Sequence, residues 1–368
     1  MPDLEIAITH DHLVQRGGAE RVVAAIARAF PGAPIYTTLY EPDETYPDLR
    51  QLDIRPSWLN RFSILRKSHR LTLPLLAAVV GSTRVNAKVT IASSAGWSHG
   101  YNTSGPKIVY CYSPARWLYQ TDAYLGSDKL TFKRMLLLAL SPFLKRWDKK
   151  KALTATKYFA ISTAVQQRIR DAYGIESEVL PAPHTIDSSL PQEPVDISAV
   201  RRPSEEFYLC ICRLLPYKNV DVVIEAMNSL NIPLIVVGAG PEEDNLQRLA
   251  GPSVLMLKNL TDNQVRWLYA HCTAVLSASY EDFGLTPIEG AAYGKPSIVL
   301  RWGGFLDTIR EGQTGLYFDN PTPEEVRNAI MSSRQRDWDS ELIKGHAELF
   351  SEQHFAGRLI EEVARLAE

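Results

Sequence analysis

Tyr280-Glu-Asp-Phe-Gly-Leu-Thr-Pro-Ile-Glu289 is the stretch on which the reading of this chain turns. The apolar run before it, Ala274 to Ser279, reads as a buried strand that ends just short of Glu281. Gly284-Leu285-Thr286-Pro287 then reads as a loop running into a helix N-terminus. Strand, glycine turn and helix start together make an anion site, because unpaired N–H groups and the helix dipole point at whatever docks there. The carboxylates of Glu281 and Glu289 flank that turn and can accept hydrogen bonds from hydroxyls. Such a site suits a nucleotide-activated sugar. A second reading stays open: Thr286-x-x-Glu289 also has the form of a capping box with Pro287 at the first helical position, in which case Glu289 only caps.

Outward from this stretch, strand-like and helical segments alternate. Strands are expected at Glu5–Thr9, Ile35–Leu39, Val89–Ala92, Lys107–Cys111 and Tyr158–Ile161, then at Phe207–Ile211, Leu234–Val237, Val254–Leu257, Val275–Leu276 and Ser297–Leu300. Alternation of this kind predicts α/β architecture with parallel sheets wrapped in helices. Between the halves, the segment from Pro181 to Pro203 holds five prolines in 23 residues without an apolar period, which marks a linker or domain edge. A length of 368 residues fits two domains of about 150 residues each.

Composition is globular, with 45% hydrophobic and 22% charged residues and a net charge of −2, which excludes nucleic-acid binding driven by overall charge. Met1-Pro-Asp-Leu-Glu5 leads straight into a strand, so no secretory leader is expected. Cys111, Cys210 and Cys212 fall in apolar, strand-like runs, and no histidine pair follows at zinc spacing. With Cys272 they read as thiols of a reducing cytosol.

Further groups along the chain bear on the chemistry. Gly17-Gly18 opens a helix and lets backbone approach a ligand, although the same pair is also common in plain tight turns. Gly238-Ala-Gly240 lacks the third glycine of a dinucleotide fingerprint, since position 243 is Glu. Arg213 and Lys218 stand past a strand end, where two cations could neutralise a leaving diphosphate or simply be solvated. Asp337-Trp-Asp339 has a form used by metal-dependent enzymes but lies in a polar stretch and reads as surface. Lys129 to Lys151 holds eight Lys/Arg against the single acid Asp148, and Arg61 to Arg70 adds four basic residues. Their apolar runs are shorter than the ~20 residues a bilayer span needs. They suit an interfacial face on anionic lipid, or a long helix with a core stripe and a solvated basic side.

Glu281-Asp-Phe-Gly-Leu-x-Pro-x-Glu289 with Ala291-Ala-Tyr-Gly294-x-Pro296 resembles the sugar-nucleotide signature of glycosyltransferase family 4. Gly17-Gly18-Ala19-Glu20, Arg213-Leu-Leu-Pro-Tyr-Lys218 and Gly312-x-Thr314-Gly315 fall in the matching order, so the resemblance spans the chain. It implies a GT-B fold: two Rossmann-like domains facing across a cleft, an acceptor domain over 1–183 and a donor domain over 184–352. A C-terminal helix near 353–368 would pack back on the first. It implies a retaining hexosyltransferase without metal or other cofactor. Arg213 and Lys218 would meet the diphosphate, Glu281 the transferred sugar and Glu289 the ribose. Gly17, Gly18, Gly284, Leu285 and Thr286 would line the donor through their backbone.

One position departs from the pattern. Where many members carry a histidine near the donor sugar, this chain has Tyr112, which can donate a hydrogen bond but does not titrate near neutral pH. His10, His12 and His99 could substitute in space. The overall likeness to mannosyltransferases of bacterial surface-polysaccharide assembly implies mannose from GDP-mannose, a lipid-linked or glycan acceptor, and a cytoplasmic protein peripheral to the inner face of the membrane. A non-catalytic sugar-nucleotide-binding subunit, a UDP-sugar enzyme with a soluble acceptor, and a GT-B epimerase or phosphorylase are the competing expectations.

Overall fold

The computed structural model describes residues 6–67, 73–120, 132–200 and 206–368. The chain divides into two compact units, Met1–Pro183 with Glu352–Glu368, and His184–Ser351. The ends of the two basic segments (68–70 and 129–131), and 201–203 of the proline-rich stretch, lie outside the described residues.

The first unit is built on strands β1 (Ile6–His10), β2 (Ile35–Thr37), β3 (Ile54–Pro56), β5 (Val89–Ser94), β7 (Lys107–Cys111), β8 (Lys157–Ala160) and β9 (Glu178–Val179), with a short pair formed by β4 (Arg84–Val85) and β6 (Asn102–Thr103). Its main sheet runs β3-β2-β1-β5-β7-β8-β9, with each neighbouring pair parallel. The second unit holds β10 (Tyr208–Ile211), β11 (Leu234–Val237), β12 (Val254–Leu257), β13 (Ala274–Ser277), β14 (Ser297–Leu300) and β15 (Gly315–Phe318). They run β12-β11-β10-β13-β14-β15, again all parallel. Renumbered from its own start, this is the doubly-wound order 3-2-1-4-5-6.

The strands are nearly continuous apolar runs because helices cover both faces of a parallel sheet. In β10, Tyr208 and Cys210 pack on one face with Val223, Ile224 and Met227, while Phe207 and Leu209 pack on the other with Leu268 and Tyr269. Cys212 lies on the same side as Cys210, the period-two placement that the sequence implied, and both thiols are free.

The principal helices are α1 (Gly18–Ala29), α2 (Leu73–Ser82), α3 (Phe132–Ala152), α4 (Thr163–Tyr173), α5 (Val220–Leu230), α6 (Asp262–His271), α7 (Leu285–Ala292), α8 (Pro323–Arg334) and α9 (Glu352–Ala367). Helix α9 joins the first unit. Arg28 donates two hydrogen bonds to Glu352 (2.6 and 2.7 Å), Arg358 donates two to Glu178 (both 2.9 Å), and Phe355 meets Tyr110 edge-on.

Helix α3 shows how a basic segment is anchored. Its Asp148 is buried, with one carboxylate oxygen 2.8 Å from His99 Nε2 and the other accepting from Tyr173 (2.9 Å). Beneath it the Lys107 ammonium donates to the carbonyls of His99 and Tyr101 (2.7 and 2.8 Å), and burial lowers its pKa to about 8. Lys145, Arg146, Lys149 and Lys150 are left exposed. Trp147 turns inward, with Leu144, onto Trp97 and residues of α2. Val79 of α2 packs in turn on Leu59 and Leu65. Trp58, Phe62, Ile64, Leu75, Leu140 and Phe143 of these segments are exposed, the last to 75%. Among the described residues no helix is long and apolar enough to cross a membrane.

Candidate active site

In an open parallel sheet, ligands gather beyond the strand ends where the strand order reverses. In the second unit that point lies between β10 and β13, and the residues singled out from sequence follow these two strands.

Beyond β10 the backbone keeps pairing, Cys212 N–H with the Val237 carbonyl (3.1 Å) and Leu214 N–H with that of Ala239 (3.0 Å). Arg213 is exposed on this extension, and among the described residues nothing pairs with its guanidinium. A single helical turn, Pro216–Lys218, leads to Asn219 in the left-handed region (φ 49°), which starts α5 and donates its side-chain amide to the Ala278 carbonyl (2.8 Å). That bond ties the turn to the end of β13 and brings Lys218 against Glu281, with which it forms an ion pair. The lysine is buried. Desolvation is the largest influence on Lys218 and pulls its pKa down. The Glu281 carboxylate, with Tyr217 and Cys212, more than offsets it, so the net shift is upward and the ammonium is retained.

Glu281 is held from behind by Gly303-Gly304. Gly304 N–H donates to the Glu281 carbonyl (3.0 Å). A Cβ on Gly303 (φ +57°) would stand 2.2 Å from that same oxygen, so only glycine fits. Tyr280 meets Trp302 edge-on with ring centroids 5.2 Å apart.

Helix α7 begins at Leu285, with Gly284 as its N-cap at φ 90° and no side chain capping its amides. A Cβ at Gly284 would lie 2.4 Å from a Phe305 ring carbon. The capping box on Thr286 is therefore not formed. Thr286 is the second helical residue and its hydroxyl donates to the Ile211 carbonyl (3.4 Å). Pro287 is third, where its missing N–H is one that the helix would leave unpaired in any case. Glu289 is buried, and its Oε2 accepts from the Tyr269 hydroxyl at 2.6 Å.

In the first unit the order reverses between β1 and β5. Gly17 is the N-cap of α1, followed by an exposed Gly18. A buried polar chain crosses the strand ends: His10 Nδ1 to Ser93 Oγ (2.9 Å), Ser93 Oγ to the Tyr112 hydroxyl (2.9 Å), and Tyr112 donating to the Ala19 carbonyl in the first turn of α1 (3.2 Å). Burial lowers the His10 pKa to about 4 and pushes the Tyr112 phenol well above its ordinary value, so both are neutral. Of the histidines considered as stand-ins, His10 thus connects to Tyr112 through Ser93, whereas His99 is engaged with Asp148 under α3. The carboxylate of Asp11 accepts four backbone N–H groups, from Ala95, Gly96, Trp97 and Ser98, at 2.6–3.0 Å, and fixes the loop after β5.

Asp11, Asn219, Tyr269 and Gly303-Gly304 are site residues that sequence reading missed. The diglycine after β14 was visible as a motif. The others reach their partners through tertiary contacts with no local signal. Asp339 caps the helix Ser340–Ala347 through the amides of Glu341 and Leu342, while Asp337 is exposed. Among the described residues, no three His, Cys, Asp or Glu gather as a metal site.

Comparison with known proteins places this geometry. Residues 195–335 match the model of Glycosyl transferases group 1. The chain is 23% identical to alpha-1,3/1,6-mannosyltransferase ALG2 of Dictyostelium discoideum, covering 89% of both chains. It is 25% identical to the GDP-mannose-dependent alpha-(1-6)-phosphatidylinositol monomannoside mannosyltransferase of Mycolicibacterium smegmatis, over 46% of this chain and 50% of that one. In structure it superposes on Anabaena HepE in complex with UDP with a TM-score of 0.71 at 18% identity, covering 99% of this chain and 100% of the other. The fold is GT-B, built of two Rossmann-like halves. Residues 195–335 carry a group 1 glycosyltransferase domain, and the chain as a whole resembles mannosyltransferases.

Proposed function

We propose that this protein transfers a hexose, with retention of anomeric configuration, from a nucleoside-diphosphate sugar to a lipid-linked or glycan acceptor. Mannose from GDP-mannose is the favoured donor. The observation that carries this reading is the convergence at one strand-order reversal of the ion pair between buried Lys218 and part-exposed Glu281, a helix start without a side-chain cap, and the buried carboxylate of Glu289. Lys218, with Arg213 beside it, neutralises the diphosphate as the sugar–phosphate bond breaks; the Leu285 and Thr286 amides add donors at the α7 dipole. Glu281 accepts from sugar hydroxyls and Glu289 from the ribose. The acceptor oxygen bonds the anomeric carbon on the face the diphosphate leaves, and its proton passes to a leaving phosphate oxygen. No protein nucleophile is required, and the two carboxylates bind rather than act as a glycosidase acid/base pair. The mechanism proposed needs no metal or bound cofactor. Names of relatives at low identity favour mannose.

The acceptor side is read from the first unit. Exposed Trp58, Phe62, Ile64, Leu75, Leu140 and Phe143 beside Lys145, Arg146, Lys149 and Lys150 suit an anionic membrane surface, with aromatic and aliphatic chains entering the headgroup layer and cations holding the lipids. This would make the protein peripheral to the inner face of the cytoplasmic membrane.

A panel of nucleotide sugars tests the donor reading, with binding by calorimetry, release of the nucleotide diphosphate, and the anomeric configuration of the product by NMR. GDP-mannose should bind and turn over in the presence of acceptor. Binding without transfer to any acceptor would favour a non-catalytic sugar-nucleotide-binding subunit; preference for a UDP-sugar would replace the donor.

A further inference from the structure

The contact behind Glu289 carries an assignment for a residue outside the motifs. We propose that Tyr269 is the positioning residue of Glu289: by holding one carboxylate oxygen it fixes the orientation in which Glu289 meets the ribose of the donor, and it thereby contributes to selection of ribose over deoxyribose. This rests on the reading of Glu289 as the ribose-binding carboxylate.

Tyr269 sits on α6 and is fully buried, with its hydroxyl 2.6 Å from Glu289 Oε2. A hydrogen bond of this length to a carboxylate is of the charge-assisted kind. The donor itself is immobile. Its ring lies parallel to that of Tyr293, the residue that ends α7, with centroids 6.0 Å apart and planes 8° from parallel. Leu268 and Cys272 pack with both rings. A tyrosine has two side-chain torsions, and here packing against α7 fixes both. A carboxylate has about four lone-pair directions. With Oε2 tied to Tyr269, the orientation of the carboxylate is set from α6 as well as from its own helix α7. Because the tie comes from α6 and the glutamate from α7, the carboxylate is held against both helices.

Tyr269→Phe removes the hydroxyl and keeps the ring stack. The expected result is a nucleoside-diphosphate Kd raised about tenfold, the effect of losing one charge-assisted hydrogen bond. The ratio of Kd values for 2′- or 3′-deoxy over ribo nucleotide should shrink in the same variant, and kcat at saturating donor should stay within about twofold. Tyr293→Phe, which leaves the Tyr269 hydroxyl in place, should change neither Kd nor the deoxy/ribo ratio and serves as the packing control. If Glu289→Gln weakens nucleotide binding but Tyr269→Phe leaves both quantities unchanged, Tyr269 is a packing residue and the proposal fails. If Tyr269→Phe and Tyr293→Phe weaken binding equally with the ratio preserved, the effect is packing and the proposal again fails. If Glu289→Gln has no effect on binding, the ribose assignment itself fails and takes this inference with it.

Discussion

Lys218 and Glu281, 63 residues apart in the chain, form an ion pair at the point where β10 and β13 diverge. Their side chains are 9% and 26% exposed, so the lysine is the more enclosed partner and the carboxylate the one that reaches solvent. In the site as proposed, Glu281 balances the Lys218 charge until a diphosphate arrives. Replacing Lys218 or Arg213 by Ala should each remove about 2–4 kcal/mol of transition-state stabilisation, the range for one preorganised electrostatic partner. The measure is kcat/KM for the donor. Glu281→Gln should lower turnover while nucleotide diphosphate still binds. Activity should survive EDTA; loss on chelation with recovery on adding manganese would contradict the metal-free reading.

Glu289→Gln should weaken nucleotide binding with a small effect on melting. Thr286 does not cap α7, so no cap is at stake, and the bond from Tyr269 contributes about 1–2 kcal/mol. A variant that melts earlier but binds donor normally would make Glu289 a structural residue.

Two glycines hold the loop that carries Glu281. Alanine at Gly284 or Gly303 meets both a positive φ and a contact under 2.5 Å, with Phe305 in the first case and the Glu281 carbonyl in the second. The strain alone costs about 1–3 kcal/mol. Gly303→Ala should also displace the Glu281 backbone, so that donor affinity falls along with the thermal midpoint. Gly345→Ala, where a Cβ has open space, is the control and should alter neither.

His10 makes stability depend on pH. Burial lowers its pKa to about 4 from an ordinary 6.5, so between those values the unfolded chain binds more protons than the folded one. Stability from this residue is therefore complete above about pH 6.5, falls as pH drops, and is lost by about pH 4. The full effect is about 3 kcal/mol at 1.36 kcal/mol per pH unit. Urea titrations at pH 7 and pH 5 should show a smaller difference for His10→Asn than for the parent chain. An unchanged difference would mean that His10 titrates in the fold as it does in the unfolded chain.

If the ridge of α2 and α3 meets lipid, the protein should sediment with anionic vesicles and be released as salt rises, because surface attraction is screened over about 10 Å at 0.1 M. Replacing Lys145, Arg146, Lys149 and Lys150 by Gln should abolish sedimentation and spare nucleotide binding. Activity on a lipid-linked acceptor should then fall further than on a short soluble one. Equal sedimentation with neutral and anionic vesicles, or none with either, would leave the ridge an ordinary solvated face.

The sheets were legible because each buried strand is an apolar run and each run is punctuated by a loop. Thus β5, β7, β10, β11, β12 and β14 fall where periodicity puts them. The edge strand β3 was not, since Ile-Arg-Pro carries no apolar pattern, and β15 follows its glycine turn too closely to stand out. At α7 a local signature pointed to Thr286 as the cap, but Phe305 packs so tightly on Gly284 that the helix starts one residue after that glycine. Spacing showed where Glu281, Glu289, Arg213 and Lys218 lie in the chain. It could not show that Lys218 pairs with Glu281 or that Tyr269 backs Glu289, because both contacts form only after separate βα units have stacked.

Helix α9 makes the second unit a guest inserted within the first. Residues 184–351 form one uninterrupted cassette, whereas the host is assembled from two stretches clamped by Arg28–Glu352 and Arg358–Glu178. The cassette can accordingly be exchanged by recombination at two junctions without breaking any covalent continuity inside it. Trimming the last helix, by contrast, removes part of the host and leaves the guest uninterrupted. Chimaeras that trade donor preference should therefore be cut at both seams.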